Sequence, residues 1–317
     1  MGIEVRYLID CKSPFQLDGT DCRSWDVFIS AFNDSERVRT VFTQVRATCK
    51  YWLILPEYGY RSEELPGGNV LVAADSFRED EAIVATLGDI LDKLKNATSI
   101  CIDVTGMMRP HILFLMYYLK QFDINRIDMV YTEPLHYRRK EDTSFASEDV
   151  TEVRQVAGYE GNHSADMSAD VLIIGVGYDH HLISHVIESK AGARLVQLHS
   201  LPSLSADMYQ ESLLRLDRVS SSSAPAMDEY QVYSSANDPF LTATTLAETI
   251  TRLQNRLKIT NLYLSPLATK PQVIGFGIYY LNEQLSIPAS MIFPYSSRYH
   301  RETSKGVGRA WVYPITL

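Results

Sequence analysis

Ser99-Ile-Cys-Ile-Asp-Val-Thr-Gly-Met-Met-Arg-Pro-His-Ile-Leu-Phe-Leu-Met-Tyr-Tyr-Leu119 sets the reading of the whole chain. Ile100 to Ile102 is a short, wholly apolar run of the kind that forms a buried strand. Asp103, Thr105 and Gly106 make a tight polar turn. Arg109 and Pro110 then open a helix that is apolar on most sides; proline suits the first turn, where its missing N–H has no helical partner. A strand, a glycine-containing turn and a helix N-terminus together form a common anion-binding device, because backbone N–H groups point at the ligand.

Working outward, the flanking segments repeat the same alternation. Asp26 to Phe32 reads as a strand and Asn33-Asp34-Ser35 as the N-cap region of a helix over 36–47. Tyr51 to Leu55 and Asn69 to Ala73 read as strands, and Asp80 to Leu94 as one amphipathic helix with Ile83, Leu87, Ile90, Leu91 and Leu94 inward. Arg126 to Tyr131 follows as a strand, and 132–140 as the loop at its end. Val150 to Val156 alternates like an antiparallel edge strand. Strands separated by helices predict a parallel sheet, whose ligands lie at the strand C-termini. The residues expected at that edge are Asn33, Asp34, Asp103, Thr105, Arg109, Glu133, Tyr137 and Arg138.

The pattern then starts again. Asp170 to Asp179 is a strand followed by a turn, with Gly177, Tyr178 and Asp179 in the place of Asn33-Asp34-Ser35. Leu204 to Leu216 reads as an extra helix and Ser220 to Pro225 as an exposed loop. Asn261 to Leu281 follows the opening stretch closely: Arg109-Pro110 pairs with Lys270-Pro271, and Tyr117-Tyr118-Leu119 with Tyr279-Tyr280-Leu281. Arg309 to Tyr313 is the edge strand matching Val153 to Val156. Matches in the same order, about 160 residues apart, indicate an internal duplication. The predicted fold is α/β: two tandem Rossmann-like units, each a mostly parallel sheet with helices on both faces. The expected domains are 1–160, with an extra N-terminal strand at 3–9, and 168–317, joined by a polar linker. Two such units can pack about a pseudo-twofold axis, with a shared ligand cleft at their strand ends.

Composition narrows the function. The chain has 317 residues, 45% hydrophobic and 22% charged, with a formal net charge of −9. That field is wrong for gripping duplex nucleic acid. The four cysteines lack C-x-x-C spacing and suggest reduced thiols in a cytoplasmic protein. No apolar run approaches the ~20 residues of a membrane span, and the N-terminus has no continuous apolar segment of a signal peptide. No cofactor is expected: Gly175-x-Gly177 lacks the third glycine of a dinucleotide fingerprint, and Walker A and Gly-x-Ser-x-Gly are absent. His181 and His185 lie four apart, with His180 and Glu188 nearby, but no third ligand is legible, so no metal is assigned.

Asp103-Val-Thr-Gly-Met-Met-Arg109 resembles the strand-turn-helix motif of CARF domains, Rossmann-like sensors of cyclic oligoadenylates, whose pattern is Asp/Asn-x-Thr-Gly-Gly-Thr-Lys. Asp103, Thr105 and Gly106 match it, and Arg109 stands at the lysine position; in the second half Thr269 and Lys270 match. The resemblance implies a nucleotide- or oligonucleotide-binding sensor of antiviral defence, with a small anionic ligand and no membrane partner. Three readings compete. The first is this sensor, with Asn33, Asp34, Thr105, Gly106, Arg109, Tyr137, Arg138, Gly177, Tyr178, Asp179, Thr269 and Lys270 around the ligand. The second is a phosphoester- or nucleotide-processing enzyme in which Asp103 or Glu133 does acid–base work. The third is a scaffold subunit with protein partners. Asp103 is open to a simpler role, capping its own turn. Arg109 and Lys270 are cations at helix N-termini, an electrostatically unfavourable place that asks for a reason.

Overall fold

A computed structural model describes residues 12–73, 76, 78–137, 150–177, 179–205, 210, 230–283, 285–296, 298–301 and 304–317; for 136 and 137 it describes the backbone alone. The expected strand at 3–9, most of the helix over 204–216, the loop at 220–225, Arg138 and Tyr178 lie outside the described residues.

The first unit begins with β1 (Ser13–Phe15) and β2 (Ser24–Ala31), followed by helix α1 (Glu36–Gln44), β3 (Arg46–Ile54) and β4 (Asn69–Val72). Two short helices come next, α2 (Glu79–Gly88) and α3 (Leu91–Asn96), then β5 (Ile100–Asp103), α4 (Arg109–Gln121) and β6 (Arg126–Tyr137). The helix expected over 80–94 is thus broken after Gly88, a poor helix former within a helix. Strand β6 is longer than expected, so Thr132, Glu133 and Pro134 belong to a strand and not to a loop.

The second unit contains β7 (Glu152–Gln155), β8 (Val171–Gly175), α5 (His180–Ser189), β9 (Arg194–Ser200) and β10 (Gln231–Ser234). It continues through α6 (Pro239–Gln254), β11 (Leu262–Pro266), α7 (Lys270–Asn282) and β12 (Ala289–Tyr295). The last strand of the chain is β13 (Ser304–Thr316). Among the described residues no helix is long and apolar enough to cross a membrane.

Sheet order shows the duplication directly. The first sheet runs β1-β13-β6-β5-β2-β3-β4, and the second β10-β9-β8-β11-β12-β7. The parallel cores β6-β5-β2-β3-β4 and β12-β11-β8-β9-β10 have the same connectivity. In each, the chain leaves one central strand toward one side and returns to its neighbour before going the other way. That reversal lies between β2 and β5 in the first unit and between β8 and β11 in the second, the place where such sheets bind ligands. Both sheets are flanked by helices, and both units are Rossmann-like.

The edge strands are exchanged relative to the sequence-based expectation. β7 precedes the second half and pairs antiparallel with β12, Phe293 opposite Arg154. β13 comes after the second half and pairs antiparallel with β6, Trp311 opposite Tyr131. It also pairs with β1, so it is an inner strand and not an edge. Among the described residues, the compact units therefore draw on Val150–Ser296 on one hand and on Cys11–Asp149 with Ser297–Leu317 on the other. Alternation tells a strand which faces to present but not which neighbour to choose.

Core residues follow the pattern. All four residues of β5 are buried, and Phe42 stacks on Trp52 with ring centroids 3.5 Å apart. Nine of the thirteen residues of α4 are buried, as its nearly all-round apolar surface requires.

Candidate functional site

The first unit's switch point is built from the ends of β2 and β5. Gly106, after β5, passes so close to β2 that a Cβ there would fall on the Ala31 carbonyl oxygen. In the second unit the same approach is made with the glycine on the other partner, since a Cβ on Gly177 would fall on the Leu267 carbonyl oxygen. Both glycines were expected among the residues around a ligand. What they admit is the neighbouring strand's backbone.

Asp103 is fully buried, and both its oxygens have partners. Ser30 Oγ donates to Oδ2 at 2.8 Å, tying β5 to β2, and the Thr105 N–H donates to Oδ1 at 2.9 Å, closing the turn. Thr105 Oγ1 in turn accepts from the Thr132 N–H at 3.0 Å, tying the turn to β6. Asp103 and Thr105 thus fasten three strand ends together. Glu133 is likewise occupied: it accepts from Trp311 Nε1 at 2.8 Å and from Arg309 Nε at 3.1 Å, both on β13. Asn33 is buried in its own turn, its Oδ1 accepting from the Ser35 N–H at 3.0 Å, while Asp34 is exposed and lies 3.4 Å from Arg39. Arg109 and Lys270 are half-buried at the first positions of α4 and α7. The Tyr137 backbone lies opposite Ser304.

Behind these residues lies a polar cluster that sequence reasoning missed. Arg37, on the inner face of α1, is only 8% exposed. Its Nη1 donates to the Thr132 carbonyl at 2.6 Å and its Nη2 to Ser304 Oγ at 2.8 Å. Tyr58 Oη donates to the Gly106 carbonyl at 2.8 Å, and burial pushes its pKa up to about 12, so it remains a donor. Glu57 and His111 are both buried, with Oε1 and Nε2 3.2 Å apart. Arg37 Nε, Glu57 Oε2, His111 Nδ1 and Thr132 Oγ1 have no hydrogen-bond partner among the described residues. Buried polar groups are normally paired, so four orphans around one turn mark the place as unusual. The available signal was a polar residue in an apolar helix face: Arg37 beside Val38 and Val41, and His111 before Ile112 and Leu113.

The helix N-termini differ between the units. In the first, neither Ser35 of α1 nor Met108 of α4 gives a side-chain cap. In the second, Asp179 caps α5 by accepting from the Leu182 N–H, and Thr269 with Gln272 forms a capping box on α7. Asp179 and Thr269, expected at a ligand, cap their own helices, leaving fewer N–H groups for an anion. The second switch point is backed by a neutral network. Gln272 bridges Ser200 and Ser234, with Oε1 accepting at 2.8 Å and Nε2 donating at 3.0 Å. Among the described residues no group of three His, Cys, Asp or Glu side chains is placed to hold a metal ion.

His199 adjoins that network, 3.0 Å from Gln197 Oε1, and burial lowers its pKa from 6.5 to about 4. Above pH 6.5 it binds no proton in either state. As pH falls from 6.5 toward 4, the unfolded chain takes up a proton that the folded one refuses. The second unit is expected to lose roughly 2–3 kcal/mol across that window, with the loss levelling off below pH 4. Urea titrations of wild type and His199→Gln at pH 7 and pH 4.5 check this; the variant's midpoint should fall less.

A hollow of about 720 Å³, lined by Leu94, Ile100, Phe122 and Arg126 among others, lies at the opposite, N-terminal end of β5. The orphaned polar groups are not there.

No family model matches the chain, and no curated protein matches it. Among solved structures, it is similar to the Acinetobacter baumannii Cap4 SAVED/CARF-domain containing receptor, solved with the cyclic trinucleotide 3′3′3′-cAAA. The identity is 12% and the TM-score 0.33, over 86% of this chain. The chain spans half of that receptor's length. This is a distant likeness.

Proposed function

We propose that the chain is a receptor for a small anionic ligand of the nucleotide or oligonucleotide class, held at the switch point of the first unit. The observation that carries this reading is Arg37: a buried guanidinium with an unpartnered Nε, in the first turn of α1, which like that of α4 no side chain caps. Uncapped helix N-termini and a buried cation together favour a phosphate. Arg109, half-buried at the start of α4, accounts in this reading for a cation at an otherwise unfavourable position: it meets the anion's outer oxygens. The match of Asp103, Thr105, Gly106 and Arg109 to the CARF motif supports cyclic oligoadenylates as the first compounds to try. Asp103 and Glu133 are tied up in hydrogen bonds, which favours binding over acid–base chemistry.

The test is a melting-temperature panel of inorganic pyrophosphate, mononucleotides, dinucleotides and cyclic oligoadenylates. At a hundredfold excess over Kd a ligand stabilises by about 2.7 kcal/mol, a rise of roughly 5–10 °C for a unit of this size. Arg109→Ala should weaken binding tenfold or more, the usual effect of losing a charged hydrogen bond. Lys270→Ala, beside helices that are already capped, should change it less than threefold. A panel without any shift overturns the reading. Equal losses in the two variants overturn its assignment to the first unit.

A further inference from the structure

We propose that binding of an anion at the first unit's switch point draws a proton onto the buried Glu57–His111 pair. The inference rests on that switch point being a ligand site. Glu57 follows β3, and His111 lies in the first turn of α4; both are 3% exposed. Glu57 Oε1 and His111 Nε2 are 3.2 Å apart. That contact is not aligned as a hydrogen bond, so both ring nitrogens and Glu57 Oε2 have no hydrogen-bond partner among the described residues. A buried carboxylate without donors is costly, and one proton added to the pair cancels its net charge. The same cluster holds the opposite charge. Arg37 gives its Nη donors to two neutral acceptors, the Thr132 carbonyl and Ser304 Oγ. Tyr58 feels both charges: the Glu57 carboxylate opposes ionisation of its hydroxyl, and the Arg37 guanidinium favours it. Glu57 thus serves Arg37 as a counter-charge at a distance.

An anion that meets Arg37 and the first turn of α4 takes over that service. The negative charge of the pair then faces a second one, and a like charge nearby favours the protonated form. A proton needs no room, so groups this deeply buried can take it without moving. Other charged groups lie on the elements packed around the pair. They are Arg37 on α1, Arg109 on α4 itself, Glu79, buried at the start of α2, which packs against α4, and Arg301, which binds the Tyr58 carbonyl. The carboxylates of Asp103 and Glu133 hold hydrogen bonds of their own. Guanidinium groups keep their charge, and burial holds the Tyr58 hydroxyl neutral. Carboxyl groups ordinarily titrate below pH 5. An imidazole ordinarily changes charge between pH 5 and 8, which makes His111 the group that carries the proton.

Calorimetric titration of the full chain tests the proposal, with a cyclic triadenylate and inorganic sulfate as probes, in buffers of different ionisation heat. Both probes keep one charge state between pH 6 and 8, so heat that depends on the buffer counts protons taken up by the protein. Wild type should take up about 0.5–1 proton per probe bound, and affinity should rise by up to about tenfold per unit as pH falls from 8 to 6. His111→Gln, or Glu57→Gln should that variant not fold, should bind with no buffer-dependent heat and a flat pH profile. Wild-type binding with the same heat in every buffer overturns the proposal and leaves the ligand reading standing. Undiminished uptake in the variants overturns it as well. If neither probe binds, the ligand reading is what fails, and the linkage is measured without ligand in Arg37→Gln, which removes the charge an anion would offset. The pH at which the His111 ring signals move in nuclear magnetic resonance spectra must then rise by about half a unit or more, and an unmoved midpoint overturns the proposal. Arg109→Gln makes the same comparison if Arg37→Gln does not fold.

Discussion

Deleting residues 298–317 unfolds the first unit and leaves the second folded. Strand β13 lies between β1 and β6, so its loss opens the middle of a sheet and not its margin. Val312, Tyr313 and Ile315 are at most 3% exposed, and Trp311 and Arg309 hold the buried Glu133 carboxylate. Burial of a large apolar side chain stabilises by about 1.5–3 kcal/mol, so these three alone supply about 5–9 kcal/mol. That matches the whole stability of an ordinary domain, about 5–15 kcal/mol. The antiparallel ladder to β6, which runs from Ser304 to Thr316 with one register shift between Val307 and Ala310, is lost with them, and the Arg37 guanidinium loses its Ser304 partner. Limited proteolysis and calorimetry of 1–296 check the result: residues 150–296 should remain resistant and melt as one transition, while 12–137 should be digested. The fragment 150–296 alone should fold, because all six described strands of its sheet, β7 to β12, lie within it. A fragment 1–160, contiguous in sequence, should not. Adding a peptide of residues 298–317 to 11–149 should restore a cooperative transition, and failure of both fragments to fold would show that the units depend on each other.

Asp103→Ala should lower stability by about 3–5 kcal/mol, since two buried donors, Ser30 Oγ and the Thr105 N–H, lose their acceptor and each such loss costs about 1–3 kcal/mol. Further loosening comes from Thr105, whose hydroxyl anchors the end of β6. Asp103→Asn keeps one oxygen acceptor and should lose about half as much. The expected fall in melting temperature is of order 10 °C for the alanine variant, measured by calorimetry at neutral pH. Ligand binding by Asp103→Asn at a temperature where it is folded should stay within a few-fold of wild type. A folded Asp103→Asn variant of unchanged stability would remove the structural account and return Asp103 to the enzymatic one.

Much of the fold was legible because helices and strands are local. The wholly apolar Ile100–Ile102 could only be a buried strand, and the Arg109-Pro110 and Lys270-Pro271 openings marked the matching helices. Even part of the asymmetry between the units was written in the chain, as Thr269-x-x-Gln272 is the pattern of a capping box. The polar cluster was less legible. Arg37 and His111 interrupt apolar helix faces, but the partners that make them informative, Thr132, Ser304 and Glu57, are distant in sequence. Asp103, Gly106, Gly177 and Asp179 had the residue types of a ligand site. In the structure Asp103 fastens strands, Gly106 and Gly177 let backbones approach, and Asp179 caps a helix.

By itself the sequence determined the α/β class, the repeated unit and the strand-turn-helix stretches at its strand ends, since each follows from periodicity and turn chemistry within a few residues. Only the tertiary structure decided which sheet each antiparallel strand joins. The backbone edges of β6 and β12 offer the same hydrogen-bonding groups to any alternating strand, so nothing local in Ser99 to Leu119 or its repeat distinguishes β7 from β13. The choice was made by side chains far apart in the chain, such as Glu133 with Trp311 and Arg37 with Ser304, and it left the first unit dependent on β13, more than 160 residues beyond β6.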